Sequence, residues 1–476
     1  MGFKEKIFSV KEGFVKEILF HPLLFVATDL LQHILNKAAS MGVIKAPLCY
    51  NPNSNFPLAQ YTDDTIIFLQ ASQANLFKIK GMINCFSDST GLQVNFNKSS
   101  LIPINVPPSE AQMLVAVFGC QLSSLPFPYL GLPLGITKPR FRDFGSLIEK
   151  VERRLSTSWL SMAGHLQIAN SVLSALPTYV MCTFKLPVKV IQTTTKSSII
   201  VFGRARKAYP KCPPCQLGQS LLPKIQRGLG VINLQCQNNA LLIKHLHKFA
   251  TKQSSPWIDL VWSLYNNSTN TPLLSALRGS RWWKDIVQLS MLFRAVASPV
   301  VGDGSSTSFW SDNWGGSPLK FPCHDFSFSK NKSISVKHFF NSDGLADLFF
   351  LPLSHEAFWE LEQLDHLLAS LNLFPDSANA WTFIWGSSAY SSSLFYNHHF
   401  KHLPTHPIFG HLWKAKCTNK IKVFFWLLLM DRLNTRNILH RKHILPPNID
   451  RNCALHSDDQ EETSLHLFFC SFSQSC

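Results

Sequence analysis

The first hundred residues show apolar patterns of helical and of strand-like spacing in turn. Residues 22–42 have apolar side chains at helical intervals and end at a glycine, which predicts an amphipathic helix. The runs PLAQY and TIIFLQ favour β-structure and are joined by the polar residues 62–64, which predicts a hairpin with two aspartates at its tip. Residues 73–90 return to helical spacing, and residues 91–104 alternate like a strand. This order predicts half of an α+β domain, with helices on one face of an antiparallel sheet.

The remaining chain is mostly helical in pattern. Long helical patterns run from about 140 to 180, where Pro177 is expected to end them, and residues 231–250 predict another amphipathic helix. The aromatic- and Ser-rich residues 300–400 predict no architecture. Residues 411–444 predict one helical run, with aromatic and aliphatic side chains on one face and Lys/Arg on the other, before a short tail rich in Cys and His.

The amino-acid composition indicates which class of partner the protein binds. Hydrophobic residues make up 46% of the chain and charged residues 16%, which excludes a wholly disordered protein. Lys and Arg (45) exceed Asp and Glu (29), and the net charge of +16 is expected of a protein that binds a polyanion, above all nucleic acid. The alternative is that the excess of base only sets solubility.

The distribution of cysteines and the N-terminal sequence indicate the cellular compartment of the protein. The cysteines are scattered, and the N-terminus has no apolar run with a cleavage site, so we expect an intracellular protein of the nucleus or cytoplasm. The longest apolar stretch near the C-terminus, Val423–Met430, is far too short to span a bilayer. We therefore expect no transmembrane segment and no membrane partner.

Asp63 and Asp64 are candidate ligands for Mg²⁺. Nucleotidyl transfer by two metal ions needs carboxylates that hold both cations close together, so that the cations clamp the attacking and leaving oxygens. Adjacent acids on a hairpin tip supply part of such a site. Because Asp also favours turns, a purely structural turn is the alternative.

Several ordered blocks resemble the reverse transcriptases of plant LINE-type (non-LTR) retrotransposons. Gln60–Thr65 resembles the family's Q-Y-A-D-D-T hairpin, and Thr90–Ser99 resembles its S-G-L-x-x-N-x-x-K-S block. Later blocks resemble the family in the same order, at Pro128–Gly135, Leu160–Pro187, Gly228–Val231 with Asn238 and Ala240, and Val301–Trp314. The resemblance covers nearly the whole chain from about residue 22.

The resemblance implies roles for four residues. Asp63 and Asp64 would bind Mg²⁺, Tyr61 would lie near the primer end, and Lys98 would lie close to the phosphates of nucleic acid or of a dNTP. RNA and DNA, as template and primer, are the implied partners. The family's third metal-binding aspartate lies upstream of a block that is matched here only at His21–Phe25. We therefore expect a truncated RNA-directed DNA polymerase without activity of its own.

The C-terminal tail contains a candidate zinc site. Cys453 and His456, then His466 and Cys470, form two pairs of soft ligands separated by a loop, which is the pattern of a closed tetrahedral Zn²⁺ site. The reverse transcriptase family has a similar C-x-x-C … E-T-x-x-H-L-F-x-x-C pattern, whose second half matches Glu462–Cys470, and a cysteine stands there at the place of His456. The alternative is a tail without metal, in which these residues are incidental.

Basic residues of the run from Trp413 to His443 are candidates for phosphate contacts, and the alternative is a solvated helix face. The four residues that we predict to contact phosphates are Lys420, Lys422, Arg432 and Arg436.

Pattern and resemblance together predict four segments. They are a partial reverse transcriptase palm (1–106), a helical thumb or connection (107–250), a poorly defined connection (251–404) and a zinc-binding domain (405–476). Three functions stay open: a reverse transcriptase that is inactive by truncation, an active polymerase completed by upstream sequence, and a nucleic-acid-binding module without catalysis.

Overall fold

The chain is an α+β protein, as the sequence predicts. It divides into two compact units, Met1–Thr137 and Lys138–Cys476. The computed structural model describes residues 2–5, 29–46, 55–61, 64–156, 160–204, 217–265, 279–316, 318–319, 324–342, 344–369, 373–374, 377, 379–446, 449–455 and 460–475.

Among its described residues, the first unit combines three helices with short paired strands. In chain order the elements are β1 (Gly2–Glu5), α1 (29–40), β2 (Leu58–Tyr61), β3 (Asp64–Ile67), α2 (Gln73–Thr90), β4 (Leu92–Asn95), β5 (Ser100–Leu101), α3 (Pro108–Phe118), β6 (Gln121–Leu122), β7 (Phe127–Tyr129) and β8 (Leu132–Leu134). The strands pair antiparallel as β1–β4, β2–β3 and β7–β8, and parallel as β5–β6.

Helix α2 organises the core of the first unit. The Ser72 hydroxyl accepts the N–H of Asn75 at 3.1 Å and caps its first turn, and Gly91 ends it in the left-handed conformation with φ +72°. Its buried face repeats at helical spacing and packs against Leu31 and Leu35 of α1. That face consists of Leu76, Ile79, Ile83 and Phe86.

The second unit is mainly helical. Its elements are a 3₁₀ turn (Phe141–Phe144), α4 (Gly145–Leu155), α5 (Met162–Met181), α6 (Val188–Arg204), α7 (Leu217–Ser220), a 3₁₀ turn (Lys224–Gln226), α8 (Leu234–Ala250), α9 (Pro256–Tyr265), α10 (Arg281–Val287), α11 (Ser290–Arg294), β9 (Ala297–Val300), α12 (Asp325–Phe328), α13 (Val336–Phe340), α14 (Leu345–Leu348), α15 (His355–Ala369), β10 (Ala380–Phe383), α16 (Ser392–His399), α17 (Pro407–Lys414), α18 (Asn419–Leu429), α19 (Arg436–Arg441), α20 (His466–Phe469) and α21 (Ser471–Ser475).

Two aromatic cores lie within the second unit. One surrounds α8 and the antiparallel pair β9–β10, where Phe249 stacks on Trp262 at 4.8 Å between ring centroids. The other gathers α13 and α15 around Phe309 and Trp310, both fully buried. Burial of these rings stabilises residues 300–400, for which the sequence pattern predicts no architecture.

The Gly-Leu-Gly turn before α8 depends on its glycines. A Cβ at Gly228 would lie 1.9 Å from the carbonyl oxygen of Leu222, so a side chain is excluded there. Gly230 adopts φ +69°, which also favours glycine. The turn leads into Asn233, whose side chain accepts the N–H of Cys236 at 3.1 Å and caps α8.

Asn238 of α8 ties the end of α5 to the rest of the unit. Its amide nitrogen donates to the carbonyls of Met181 and Phe184, both at 2.9 Å, and its amide oxygen accepts the N–H of Leu186 at 2.8 Å. The side chain is fully buried. These three bonds satisfy backbone groups where the chain leaves α5, which gives a structural reason for this asparagine.

Four of the predicted elements are confirmed, and three need correction. Residues 29–40 of the first helix, the hairpin β2–β3, the helix 73–90 and the helix α8 form as predicted, while residues 22–28 lie outside the described residues. The strand predicted over 91–104 is instead two short strands, since residues 96–98 form a turn.

The prediction that Pro177 ends a helix was wrong. Pro177 lies inside α5, which continues to Met181. The proline removes one backbone hydrogen bond, but Val180 and Met181 beyond it are buried, and their burial outweighs that loss.

The single helix predicted over 411–444 was also wrong, as was its division into an apolar and a basic face. The run forms α17, α18 and α19, because Ala415 and Thr418 are extended and Asp431 adopts φ +50°. Val423 and Trp426 of α18 are buried, but Phe424 and Phe425 are 42% and 39% exposed. No helix among the described residues is long and apolar enough to cross a bilayer.

Replacing Asn238 with Ala should destabilise the second unit by about 3 kcal/mol, because three buried backbone groups lose their partner. All twelve tryptophans lie in this unit, so denaturation followed by tryptophan fluorescence measures the change. Asn239→Ala, at the half-buried neighbouring position, is the matched control and should change stability by less than about 0.5 kcal/mol. Equal effects of the two substitutions would contradict the assigned role.

Because of Asp325, the free energy of unfolding should decrease as pH rises from about 4 to about 6. Burial, then the nearby Glu360, raises the pKa of this carboxyl to about 6, so the folded chain binds the proton more tightly than the unfolded chain. Asp325→Asn removes the charge and should raise the free energy of unfolding by about 2 kcal/mol at about pH 7.5, with little effect near pH 4. Denaturation at both pH values measures this, and Asp347→Asn, at an exposed position, should change neither.

Candidate metal centre

A short hairpin followed by two helical turns forms the C-terminal scaffold. The N–H of Cys453 donates to the carbonyl of Gln460 at 3.0 Å, and the N–H of Glu462 donates to the carbonyl of Arg451 at 2.9 Å. The chain then enters α20, and Cys470 adopts an extended conformation between α20 and α21. This path returns Cys470 to the hairpin that contains Cys453.

Three candidate ligands converge on this scaffold. One side-chain atom from each of Cys453, His466 and Cys470 lies within 4.8 Å of the others. The two sulfur atoms are 3.9 Å apart. Two Zn–S bonds of about 2.3 Å at a tetrahedral angle place the sulfurs about 3.8 Å apart, so this donor set fits Zn²⁺.

The ligands are also the whole interior of this segment. Among the described residues from 449 to 475, only Cys453, His466 and Cys470 are buried. Leu465 and Phe469 beside them are each 71% exposed. Because the described part of the segment has no apolar core of its own, a metal bound by the three buried side chains would supply its folding energy.

The surroundings of the Cys470 sulfur favour its thiolate form. The N–H of Leu455 points at the Cys453 sulfur at 3.5 Å. Burial acts to raise the pKa of Cys470, but hydrogen bonds from the backbone N–H groups of Ser473 and Phe472, and contacts with Cys453 and Ser473, outweigh it and lower that pKa. Since the thiolate is the form that binds metal, this environment prepares Cys470 as a ligand.

Helix α19 holds the hairpin in place. The backbone N–H of Arg436 donates to a Glu462 carboxylate oxygen at 3.1 Å, and its guanidinium donates to the carbonyl of Asn452 at 3.0 Å. The Asn437 amide donates to the Glu461 carboxylate at 2.6 Å. Both strands of the hairpin are therefore bound to one helix, which fixes the position of the strand that contains Cys453.

Residues 390–476 match the family described as zinc-binding in reverse transcriptase. This match implies zinc binding, and the Cys-His-Cys group could hold the metal. We refer to residues 390–476 as the zinc-binding region. These residues are thus similar to the zinc-binding part of reverse transcriptases.

One curated relative extends the similarity beyond the zinc-binding region. A protein of Arabidopsis thaliana, named as a ribonuclease H protein, is 23% identical over 341 residues. The alignment covers 65% of this chain and 52% of the relative. The chain therefore spans about half the length of this relative.

The structure brings three of the four predicted zinc ligands together. Cys453, His466 and Cys470 meet, and His456 lies outside the described residues. Glu462 is a supporting residue that the sequence analysis missed as such. Its place in the E-T-x-x-H sequence, four positions before His466, was the available signal.

The predicted Mg²⁺ site is described only in part. Tyr61 and Asp64 face each other across the hairpin β2–β3, with Tyr61 60% exposed and Asp64 half-buried. Asp63 lies outside the described residues. Lys98 is exposed in the turn between β4 and β5, in the same unit.

The four basic residues predicted to contact phosphates differ in their surroundings. Lys422 donates to the carbonyl of Trp413 at 3.0 Å, and Arg432 donates to the side chain of Gln219. Arg436 holds the hairpin, as described above. Lys420 is exposed at the start of α18. Three of the four thus have structural partners within the chain.

The full chain should bind about one zinc ion, because two thiolates and an imidazole are preorganised in a buried site. Cys470→Ser should abolish stoichiometric binding, since the hydroxyl is a far weaker ligand for zinc. Cys417→Ser is the control, because Cys417 is a free cysteine outside the cluster. Elemental analysis of purified protein measures the stoichiometry, and full zinc retention in Cys470→Ser would show that the cluster is not the site.

Proposed function

We propose that this chain is part of the reverse transcriptase of a plant LINE-type (non-LTR) retrotransposon, with a zinc-stabilised C-terminal region. The convergence of Cys453, His466 and Cys470 within the zinc-binding region is the observation that supports this most directly. The ordered sequence blocks from Gln60 to Trp314 and the plant relative support it independently.

We propose His456 as the fourth zinc ligand. His456 follows Cys453 by three positions in the sequence, which is the ligand spacing of a zinc site, and it lies outside the described residues. An imidazole there would complete a Cys₂His₂ set. His456→Ala should then weaken zinc binding less than Cys470→Ser does, because both cysteine thiolates remain as ligands.

Within the first unit, we propose that Asp63 and Asp64 bind Mg²⁺, that Tyr61 lies near the primer end and that Lys98 lies near phosphates. The antiparallel hairpin supports this, since it holds Asp64 at the start of β3. We also propose that the chain consists of four segments, residues 1–106, 107–250, 251–404 and 405–476. The protein would act in the nucleus or the cytoplasm.

We propose that RNA and DNA are the partners. A net charge of +16 favours binding to any polyanion, and such binding weakens as salt displaces the released counterions. A non-catalytic nucleic-acid-binding module is the second candidate function. It is favoured by the exposed Lys420, which lies beside α17 in the zinc-binding region, far along the chain from the polymerase-like hairpin.

The full chain should bind RNA and single-stranded DNA, with affinity falling steeply between about 50 and about 200 mM salt. Fluorescence anisotropy of labelled oligonucleotides measures this, and the slope of log K against log salt counts the phosphates contacted. A neutral peptide nucleic acid of the same sequence is the control, because it has no phosphates. Absence of binding at low salt would remove both candidate functions.

These 476 residues alone should not incorporate nucleotides, because the sequence offers no match for the third metal-binding aspartate that the resemblance implies. A primer-extension assay with Mg²⁺ and dNTP measures this. Incorporation that disappears in Asp64→Asn would establish an active polymerase instead. Equal background in both proteins agrees with the proposal.

A further inference from the structure

Helix α18 presents an apolar face to solvent. Val423 and Trp426 point inward, whereas Ile421, Phe424 and Phe425 on the opposite side are 45%, 42% and 39% exposed. At 100° per residue, these three side chains share one face with the exposed Lys420. The rings of Phe424 and Phe425 meet edge to face, with centroids 5.7 Å apart. Two adjacent phenylalanine rings on this helix are therefore partly open to solvent.

The sequence segment that leads up to and contains this face has no acidic residue before Asp431. From residue 377 to 430 the sequence has five lysines and no Asp or Glu. Lys414, Lys416 and Lys420 are exposed, and none of the three forms an ion pair among the described residues. A segment of this length with one sign of charge is complementary to a polyanion.

Two further lysines meet at Trp413, at the end of α17. The Lys224 ammonium lies over the Trp413 ring, 4.8 Å from its centroid, and Lys422 of α18 donates to the Trp413 carbonyl at 3.0 Å. Burial, and then the charge of Lys422, lower the pKa of Lys224. The described structure therefore holds like charges together without a neutralising carboxylate, which a bound anion would relieve.

We propose that the face of α18 formed by Lys420, Ile421, Phe424 and Phe425 binds single-stranded nucleic acid, with bases stacked on the phenylalanines and phosphates on the surrounding lysines. The proposal rests on the nucleic-acid-binding function proposed above and names its surface. Exposed rings beside lysines suit unpaired bases, because the bases of a duplex are already stacked on each other. A second copy of the chain is disfavoured as the occupant, since two such faces would bring like charges together.

The test compares two double variants of the full chain. Phe424→Leu/Phe425→Leu keeps an apolar surface and removes the rings, and Phe350→Leu/Phe358→Leu is the matched control, because those rings are 60% and 52% exposed elsewhere in the same unit. The probe is a fluorescein-labelled oligouridylate of about 20 nucleotides, measured by anisotropy. The first variant should bind about 10-fold more weakly and the control as tightly as the unaltered chain.

Two further measurements separate stacking from charge. Binding of a duplex of equal length should change by less than about 2-fold in the first variant, because it offers no unpaired base. Lys420→Gln should reduce the salt slope for the oligouridylate by about 1. Circular dichroism and zinc content of each variant show that the fold is retained.

The outcomes of these binding experiments distinguish failure of the proposed function from wrong assignment of the binding surface. If the unaltered chain binds no oligouridylate, the proposed function fails and this inference with it. If the chain binds and both double variants bind equally well, only the surface is wrongly assigned. If sedimentation shows that the unaltered chain self-associates through this face while RNA binding is unchanged in the variant, the face is an interface between copies and the inference is overturned.

Discussion

Two cysteine sulfurs and a buried imidazole are the constraint on which the C-terminal end of the chain depends. The described residues from 449 to 475 bury no side chain other than Cys453, His466 and Cys470. Such a segment cannot recover its conformational entropy from apolar burial, so a metal bound by these three side chains would hold the hairpin and α20 in their mutual position. Arg436 and Asn437 then transmit that position to α19, since they bind both strands of the hairpin.

The rest of the second unit is held together by polar groups placed within aromatic cores. Asn238 satisfies three backbone groups at the end of α5, and Asp312 accepts both the Arg294 guanidinium at 2.8 Å and the N–H of Ser308 at 2.7 Å. Each such group is costly to bury without its partners, so it selects one arrangement of the helices around it. Both residues lie in the blocks by which the sequence resembles reverse transcriptases.

Local chemistry explains which elements were predictable. The helix 73–90 has a serine cap, a glycine stop and an apolar face at helical spacing, and it forms at those residues. The Cys and His spacing likewise predicted the ligands that meet at the metal centre. The failures have non-local causes. Pro177 is tolerated because residues beyond it are buried, and no pattern within residues 411–444 reveals that α17, α18 and α19 pack separately.

The sequence by itself determined the fold class, the hairpin that contains Asp64, the ligand types of the metal site and the excess of positive charge, because these follow from residue identity and short-range spacing. Only the tertiary structure decided which side of α18 faces solvent, which basic side chains have partners within the chain and which meet at Trp413. Those outcomes depend on contacts between residues about two hundred positions apart, such as Lys224 with Trp413 and Arg432 with Gln219, and no local pattern encodes them.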